Sequence, residues 1–413
     1  MAGGSEMNLF TFALRNIARG RARVWVTVAS MAFAGAIMIY YAALMEGFMR
    51  ATQRNAVAME LGHLQMHLPG YRDDPDLYAR IADPGRIVAT LEGQGLAAAP
   101  RLFAFGLAAA GTSSAGIGMR GVDLAREPRV TELDRHLLKG TWLREESPAA
   151  VVVGRKLARS LGVEVGDEIV VVGQATDGSM ANDLFRVGGI LKSVGEGLDR
   201  NGFLMTESAF RRFMIMESGA HEIAIRLPEG GMELTAATGY LETLFPELEV
   251  KNWRQLQPVV ARIVDLSRSS LIIMLVITYA AVGILALNAM LMSVFERIPE
   301  FGVMKALGTS PLSVFGLIAC EALIQVSCGA LLALAAGVPL ALYNQSHPLD
   351  LSFLASTSST IAGIAVDPVW YASLTVETVV LPVLFLYIIS MAAVLYPAAK
   401  AALIRPLAAI YHR

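Results

Sequence analysis

Four apolar blocks, about Val24–Met45, Ser270–Phe295, Leu312–Tyr343 and Leu374–Tyr396, concentrate the hydrophobic residues of this chain. Each is long enough to cross the hydrocarbon core of a bilayer, which takes roughly 20 apolar residues in a helix. With 413 residues, 54% of them hydrophobic and 17% charged, the chain is too apolar for one soluble globule. The stretch from Glu46 to about Arg268 differs, having ordinary charge density and frequent Gly and Pro. The expected fold class is an α-helical membrane protein with four transmembrane helices. A large α+β domain is inserted between the first and second.

Basic residues near the blocks set the orientation. Arg15, Arg19, Arg21 and Arg23 precede the first block, Arg297 and Lys305 separate the second from the third, and Lys400, Arg405 and Arg413 follow the fourth. The segment 344–372 contains no Lys or Arg. Both termini and the segment 296–311 are therefore expected in the cytoplasm, with the large domain outside. The parse is a basic cytoplasmic helix 1–23, spans 24–45, 270–295, 312–343 and 374–396, and an extracytoplasmic domain 46–268. A cytoplasmic helix 296–311, an outer loop 344–373 and a tail 397–413 complete it. The first span reads as an uncleaved anchor, since its apolar core outruns a signal h-region and no small-x-small cleavage site follows. Met7, after the MAGGSE leader, is an alternative start. The two cysteines, Cys320 and Cys328, stand roughly 12 Å apart along one helix, too far for a disulfide.

Strands are expected at 62–68, 149–153, 168–173, 184–191, 202–206 and 222–227, with helices at 84–91, 155–161, 207–216 and 232–245. These make an α+β domain, read as one body or as two subdomains.

The segment ERIPEFGVMKALGTSP places Phe301, Met304 and Leu307 at three-residue spacing, on or near one helical face. Arg297, Glu300 and Lys305 supply its polarity, and Gly308 with Pro311 ends one helix and starts the next. A short amphipathic helix of this kind fits a cleft on a cytosolic partner. Glu321 lies roughly 14 Å into the third span, near mid-bilayer. It reads either as a functional carboxylate or as a structural one hydrogen-bonded to a neighbour such as Asn288. With only Glu377 added near an outer end, a proton pathway is thinly supplied, which favours the structural reading. Met38, Tyr41, Met45 and Phe48 form a stripe at i, i+3, i+7 and i+10 that suits a helix–helix seam.

Other motifs carry less. No Walker A pattern occurs, so this chain does not bind nucleotide in that mode. Gly116–Gly121 matches G-x-G-x-x-G, yet it leads into Val122 and Asp123 rather than a helix, and a turn is expected there. His63 and His67, with Glu60 upstream, mimic a metal triad. On a strand the two histidines stand roughly 13 Å apart, so two partly exposed strand histidines are expected and no metal site. No G-x-S-x-G elbow and no cysteine nucleophile are available to the domain, so no catalytic residue is assigned.

Three stretches resemble the FtsX-like, MacB-type ABC transporter permeases. R-x-x-E-F-G-V-M-K-A-L-G-T-S, from Arg297, resembles the coupling loop of that family. FALRNIARGRARVWVTVAS resembles its N-terminal basic helix, and YPAAKAALIRPLAAI its closing segment. Within the domain, GHLQMHLPGYRDDPDLY and VVVGRKLARSLGVEVGDEIVVV resemble the lipoprotein-releasing permeases of the LolC and LolE type. The segment Gly173–Asp183 departs from the long Pro- and Arg-containing loop by which LolC-type chains recruit a periplasmic carrier. It is short and has neither residue, so carrier docking on this chain is in doubt.

The resemblance implies the permease subunit of an inner-membrane ABC transporter that extracts a lipoprotein or similar amphiphile. Arg297, Glu300, Phe301, Met304, Lys305 and Leu307 would couple it to a separate cytosolic ATPase dimer that holds ATP and Mg. No cofactor is expected in this chain. A second permease subunit, identical or not, is implied, and a periplasmic carrier or adaptor is an open partner. Met38, Tyr41, Met45 and Phe48 become candidate cargo-facing residues, beside the seam reading. Two alternatives stand: MacB-like mechanotransmission of a periplasmic substrate, and FtsX-like activation of a cell-wall hydrolase without transport.

Overall fold

The computed structural model describes residues 21–228, 230–350, 360–361, 364–365 and 369–404. The expected N-terminal basic helix as far as residue 20, most of the outer loop, and Arg405 and Arg413 of the tail lie outside the described residues. The chain divides into two units. One comprises Met1–Met49, Asp265–Leu351 and Val369–Arg413, the other Arg50–Val264 and Ser352–Pro368.

The first unit is helical. Its helices are α1 (Arg21–Ala56), α2 (Pro258–Glu296), the short α3 (Ile298–Ala306), α4 (Pro311–Ser346) and α5 (Val376–Leu403), with α1 and α2 running on into the other unit. All but α3 are long and apolar enough to cross a membrane. Small residues let α1 and α4 approach closely. A Cβ added at Gly329 would stand 2.8 Å from the Met31 Cβ, and one at Gly337 3.0 Å from the Ala36 Cα. Gly35 returns the arrangement, 2.6 Å from the Ala333 Cβ on the same construction.

Local chemistry fixes the helix ends. The Thr309 N–H donates to Met304 O and the Gly308 N–H to Lys305 O, a Schellman closure of α3 with Gly308 at φ +98°. Two residues on, the Ser310 hydroxyl accepts from the Ser313 N–H at 3.1 Å and Pro311 opens α4.

The second unit carries strands β1 (Leu64–His67), β2 (Ala97–Ala110), β3 (Ser113–Val122), β4 (Leu137–Gly140) and β5 (Ala150–Val153). β6 (Glu168–Gln174), β7 (Met180–Leu191), β8 (Gly202–Thr206), β9 (Glu222–Arg226) and β10 (Glu249–Asn252) follow. Two sub-structures share β2. Pairings β2–β3, β3–β8, β8–β5, β5–β7, β7–β6 and β6–β2 close a six-stranded barrel. Closure removes the exposed edges that an open sheet would present. Alternate residues fill its interior, among them Leu102, Ala104, Ile117, Met119, Ile169, Val171, Phe185 and Phe203. The first half of β2 instead pairs with β9 in a sheet ordered β10-β1-β9-β2. Helices Pro84–Gly93 and Leu234–Leu244 cover that sheet through Ile87, Val88, Leu91, Ala237 and Leu241.

Two expectations change here. Gly116–Gly121 is strand, not turn, within the β2–β3 hairpin. Gly121 is required by proximity, because a Cβ there would meet the Phe210 Cβ at 2.7 Å. The segment Gly173–Asp183 is also not a free loop. Residues 174 and 180 pair across β6 and β7, leaving five residues in the turn, where Ala175 is buried and the Thr176 hydroxyl donates to Ile215 O.

Candidate functional site

Helix α3 is held at three points. At its start the Arg297 Nη1 donates to both Glu321 carboxylate oxygens at 3.0 Å, and its Nε to Glu300 at 3.2 Å. The guanidinium also lies 5.1 Å over the Phe301 ring. In the middle, Phe301 is 1% exposed, within a cluster of Met290 and Val294 from α2, Val314 and Leu317 from α4, and Val394 and Ala398 from α5. At its end, Lys305 Nζ donates to the carbonyls of Ala401, Ala402 and Ile404. These carbonyls lie at the C-terminus of α5, where the helix dipole also favours a cation. A displacement of α3 therefore pulls on α2, α4 and α5 together.

This geometry revises the expected apolar face. Phe301 and Met304 turn inward to the core, whereas Leu307 is 83% exposed. Three-residue steps each fall about 60° short of a full turn, so Phe301 and Leu307 stand about 120° apart on the helix. The face left open is Val303, Ala306 and Leu307, continued by Leu312 at the start of α4, with Glu300 also exposed.

Glu321 is buried, as a span carboxylate should be, but its partner is Arg297 rather than Asn288, which lies on an exposed face. A guanidinium reaching in from the adjoining helix gives the carboxylate a countercharge that an amide could not. The stripe on α1 divides. Met38 is 2% exposed among Leu271, Leu275, Tyr279 and Leu386, with Tyr41 packed on the same cluster. Phe48 packs against Trp370 with ring centroids 4.7 Å apart and planes tilted by 36°, and Met45 is half-buried. Met38 and Tyr41 thus lie in a helix seam, and Met45 and Phe48 lie beyond it. The open apolar face of α1 is Trp25, Val26, Phe33 and Ile37.

The second unit holds a buried charge cluster that sequence reasoning missed. Arg101, 0% exposed, sits where β2 passes from sheet to barrel. Its guanidinium grips Glu127 with two bonds (3.1 and 2.6 Å), Glu222 with one of 2.8 Å, and Glu60 O with one of 2.7 Å. Burial alone would lower the Arg101 pKa, but the two carboxylates raise it well above its ordinary value. Burial pushes the Glu222 carboxyl up, yet Arg101, with His67, Arg72 and Arg120, holds it below the usual range.

Three histidines of this unit, His63, His67 and His221, have lowered pKa, mainly through burial. His63 Nδ1 accepts from the Leu227 N–H, and His221 Nδ1 from the Phe103 N–H. His67 is not partly exposed but fully buried, 3.8 Å from Glu222. His63 thus ties the chain before β1 to the end of β9, and among the described residues no group of three His, Cys, Asp or Glu is placed to hold a metal.

Residues 24–239, just over half of the chain, match the family described as MacB-like periplasmic core domain. The chain belongs to the MacB-like, FtsX-like permeases. Residues 272–405 of this permease match the FtsX-like permease C-terminal family, which encloses α3 and its clamp. The chain is similar to the lipoprotein-releasing system transmembrane protein LolC of Neisseria meningitidis, at 25% identity over 76% of each chain. An uncharacterized ABC transporter permease of Methanocaldococcus jannaschii is 26% identical over 49% of this chain and 51% of its own. Among solved structures, the periplasmic region of MacB from Actinobacillus actinomycetemcomitans aligns at TM-score 0.38 and 14% identity. That alignment covers 50% of this chain and 95% of that one. The extracellular domain of YknZ from Gram-positive bacteria aligns at TM-score 0.33 and 15% identity, over 46% and 99%.

Proposed function

We propose that this permease transmits ATP-driven motion of a partner ATPase dimer to extraction of a lipoprotein or similar amphiphile from the outer leaflet of the inner membrane. The observation that carries the reading is the clamp on α3. An apolar edge of Val303, Leu307 and Leu312 stands open while the rest of the helix is tied to α2, α4 and α5. A short helix so held moves its neighbours instead of bending alone. Insertion of the four long helices is supported by their exposed apolar faces, such as Ile273, Ile277 and Ile284 on α2 and Val380, Leu384 and Ile388 on α5. The Arg and Lys distribution supports α3 on the cytosolic side and the 50–264 unit outside.

Amphiphile cargo is supported by similarity to LolC and by energetics. Each acyl CH₂ exposed to water costs about 0.8 kcal/mol, so extraction needs a driven, sheltered route. A second permease copy or a paralogue completes the transporter. The test is copurification of the ATPase. Leu307→Asp sets a charge where an apolar contact is proposed and is expected to abolish association and ATP-dependent release. Unchanged association would remove α3 as the coupling element.

A further inference from the structure

The outer wall of the barrel carries a trench floored by glycine. On β2 and β3, Leu102, Ala104, Ile117 and Met119 face the core, so their neighbours face out. Across the outer face the register sets Phe103 opposite Arg120, Phe105 opposite Gly118 and Leu107 opposite Gly116. On the far side Gly118 pairs with Gly202 of β8. A Cβ at Gly116 would meet nothing within 4 Å, and one at Gly118 would meet its nearest atoms at 3.9 Å. The space above these residues is open. Phe105 and Leu107 wall it while being 67% and 60% exposed.

The trench ends at Arg120, which lines a cleft with Glu60, Phe103, Gly118 and Leu198. The Arg120 side chain is 8% exposed, its Nη2 donates to Glu60 at 3.1 Å, and its Nε and Nη1 have no hydrogen-bond partner. Buried donors without acceptors are costly. With the Glu60 carboxylate already beside the guanidinium, an uncharged acceptor oxygen would complete it without adding another negative charge to this cleft. From the open end the apolar wall runs on across the barrel. Leu107 pairs with Val172, and Val170 with Leu184, the last two being 40% and 47% exposed.

We infer that this trench binds an acyl chain through a neutral ester or amide carbonyl, the carbonyl on the orphaned Arg120 donors and the chain along Phe105 and Leu107. An O-acyl glycerolipid and an N-acyl peptide share that chemistry. The inference deepens the amphiphile reading and rests on it for its biological meaning, but binding here needs no ATPase.

The test uses the full chain in a detergent-free peptide belt and three diazirine-tagged probes, a monoacylglycerol, an N-acyl dipeptide amide and a free fatty acid. Crosslinks are mapped to the β2 and β3 peptides. Either neutral probe or both should label Phe103–Leu107, and the stronger of the two names the source. Gly118→Val fills the trench at a strand position free of positive φ, and Arg120→Met removes the donors. Each should reduce that labelling about tenfold, the factor expected for a lost bond to a charged group. Labelling unchanged in Gly118→Val, whose fold is checked by hydrogen exchange of β3, overturns the site. Stronger labelling by the free acid overturns the neutral head group. Trench labelling alongside intact ATPase association in Leu307→Asp would instead remove only the coupling account.

Discussion

Replacing Arg101 with Leu takes away the cation gripped by Glu127 and Glu222, whose side chains are 1% and 2% exposed. Breaking a buried pair by removing one partner costs about 3–5 kcal/mol, because the remaining charge stays desolvated. For a unit of this size each kcal/mol lowers the midpoint by about 2–4 °C, so a fall of roughly 6–20 °C is expected at pH 7. Thermal melting of the full chain reads this, with hydrogen exchange of the β2 and β9 peptides locating it.

The pH dependence supplies a second readout with opposite slopes. In the native chain His63, His67 and His221 bind protons more weakly than in the unfolded chain, where the value is 6.5. The unfolded state thus takes up protons first, and stability falls as pH drops below about 6.5. The depressed Glu222 acts in the same sense lower down. Its contribution is present above its unfolded value of 4.5 and is lost as pH falls through the folded value. Without Arg101, burial dominates at Glu222 and raises its folded pKa. Acidification then neutralises an unpaired charge and restores stability. The gap between native and Arg101→Leu should therefore narrow from pH 7 to pH 5. A midpoint within about 2 °C of native at pH 7, or a gap that widens on acidification, would refute the account of this cluster.

Phe301→Ala removes a core side chain and should cost about 3–5 kcal/mol of stability in the helical unit, read as faster exchange in α3 and α4. Leu307→Ala, 83% exposed, should leave that exchange unchanged. Lys305→Met should speed exchange over the last turn of α5, whose carbonyls it caps. Gly337→Leu drives a side chain into the Ala36 backbone and should lower the yield of folded protein more than Gly116→Ala, where space is open. Single cysteines at Ser179 and Ser310, labelled from outside by an impermeant reagent, should react only at 179 if the proposed positive-inside orientation holds.

The helices were legible because periodicity, capping and length act locally. Gly308 and Pro311 announced the break between α3 and α4, and each apolar block overlaps one of the four long helices, although α1 runs on from Met45 to Ala56, α2 starts at Pro258 rather than Ser270 and α5 continues to Leu403. Which side of a helix packs was not legible. Both faces of α1 are apolar, and only the small residues at Gly35 and Ala42, flanking Met38 on the seam, mark the packed side. The β2–β3 hairpin escaped because AAAPRLFAFGLAAA is rich in Ala and its strand propensity is weak; pairing with β6 and β9 decides it. The Arg101 cluster joins residues from distant parts of the chain, and its single local sign was a lone charge within an apolar run. Around α3, spacing alone put Phe301, Met304 and Leu307 on or near one face. Their directions needed the positions of α2, α4 and α5.

Photocrosslinkers at Leu307 and Phe301, in the full chain coexpressed with its cognate ATPase, test the central claim most directly. The account predicts that position 307 captures the ATPase in one nucleotide state more than in the other, while position 301 crosslinks only within the permease. Capture of the ATPase from 301 with none from 307 would contradict it.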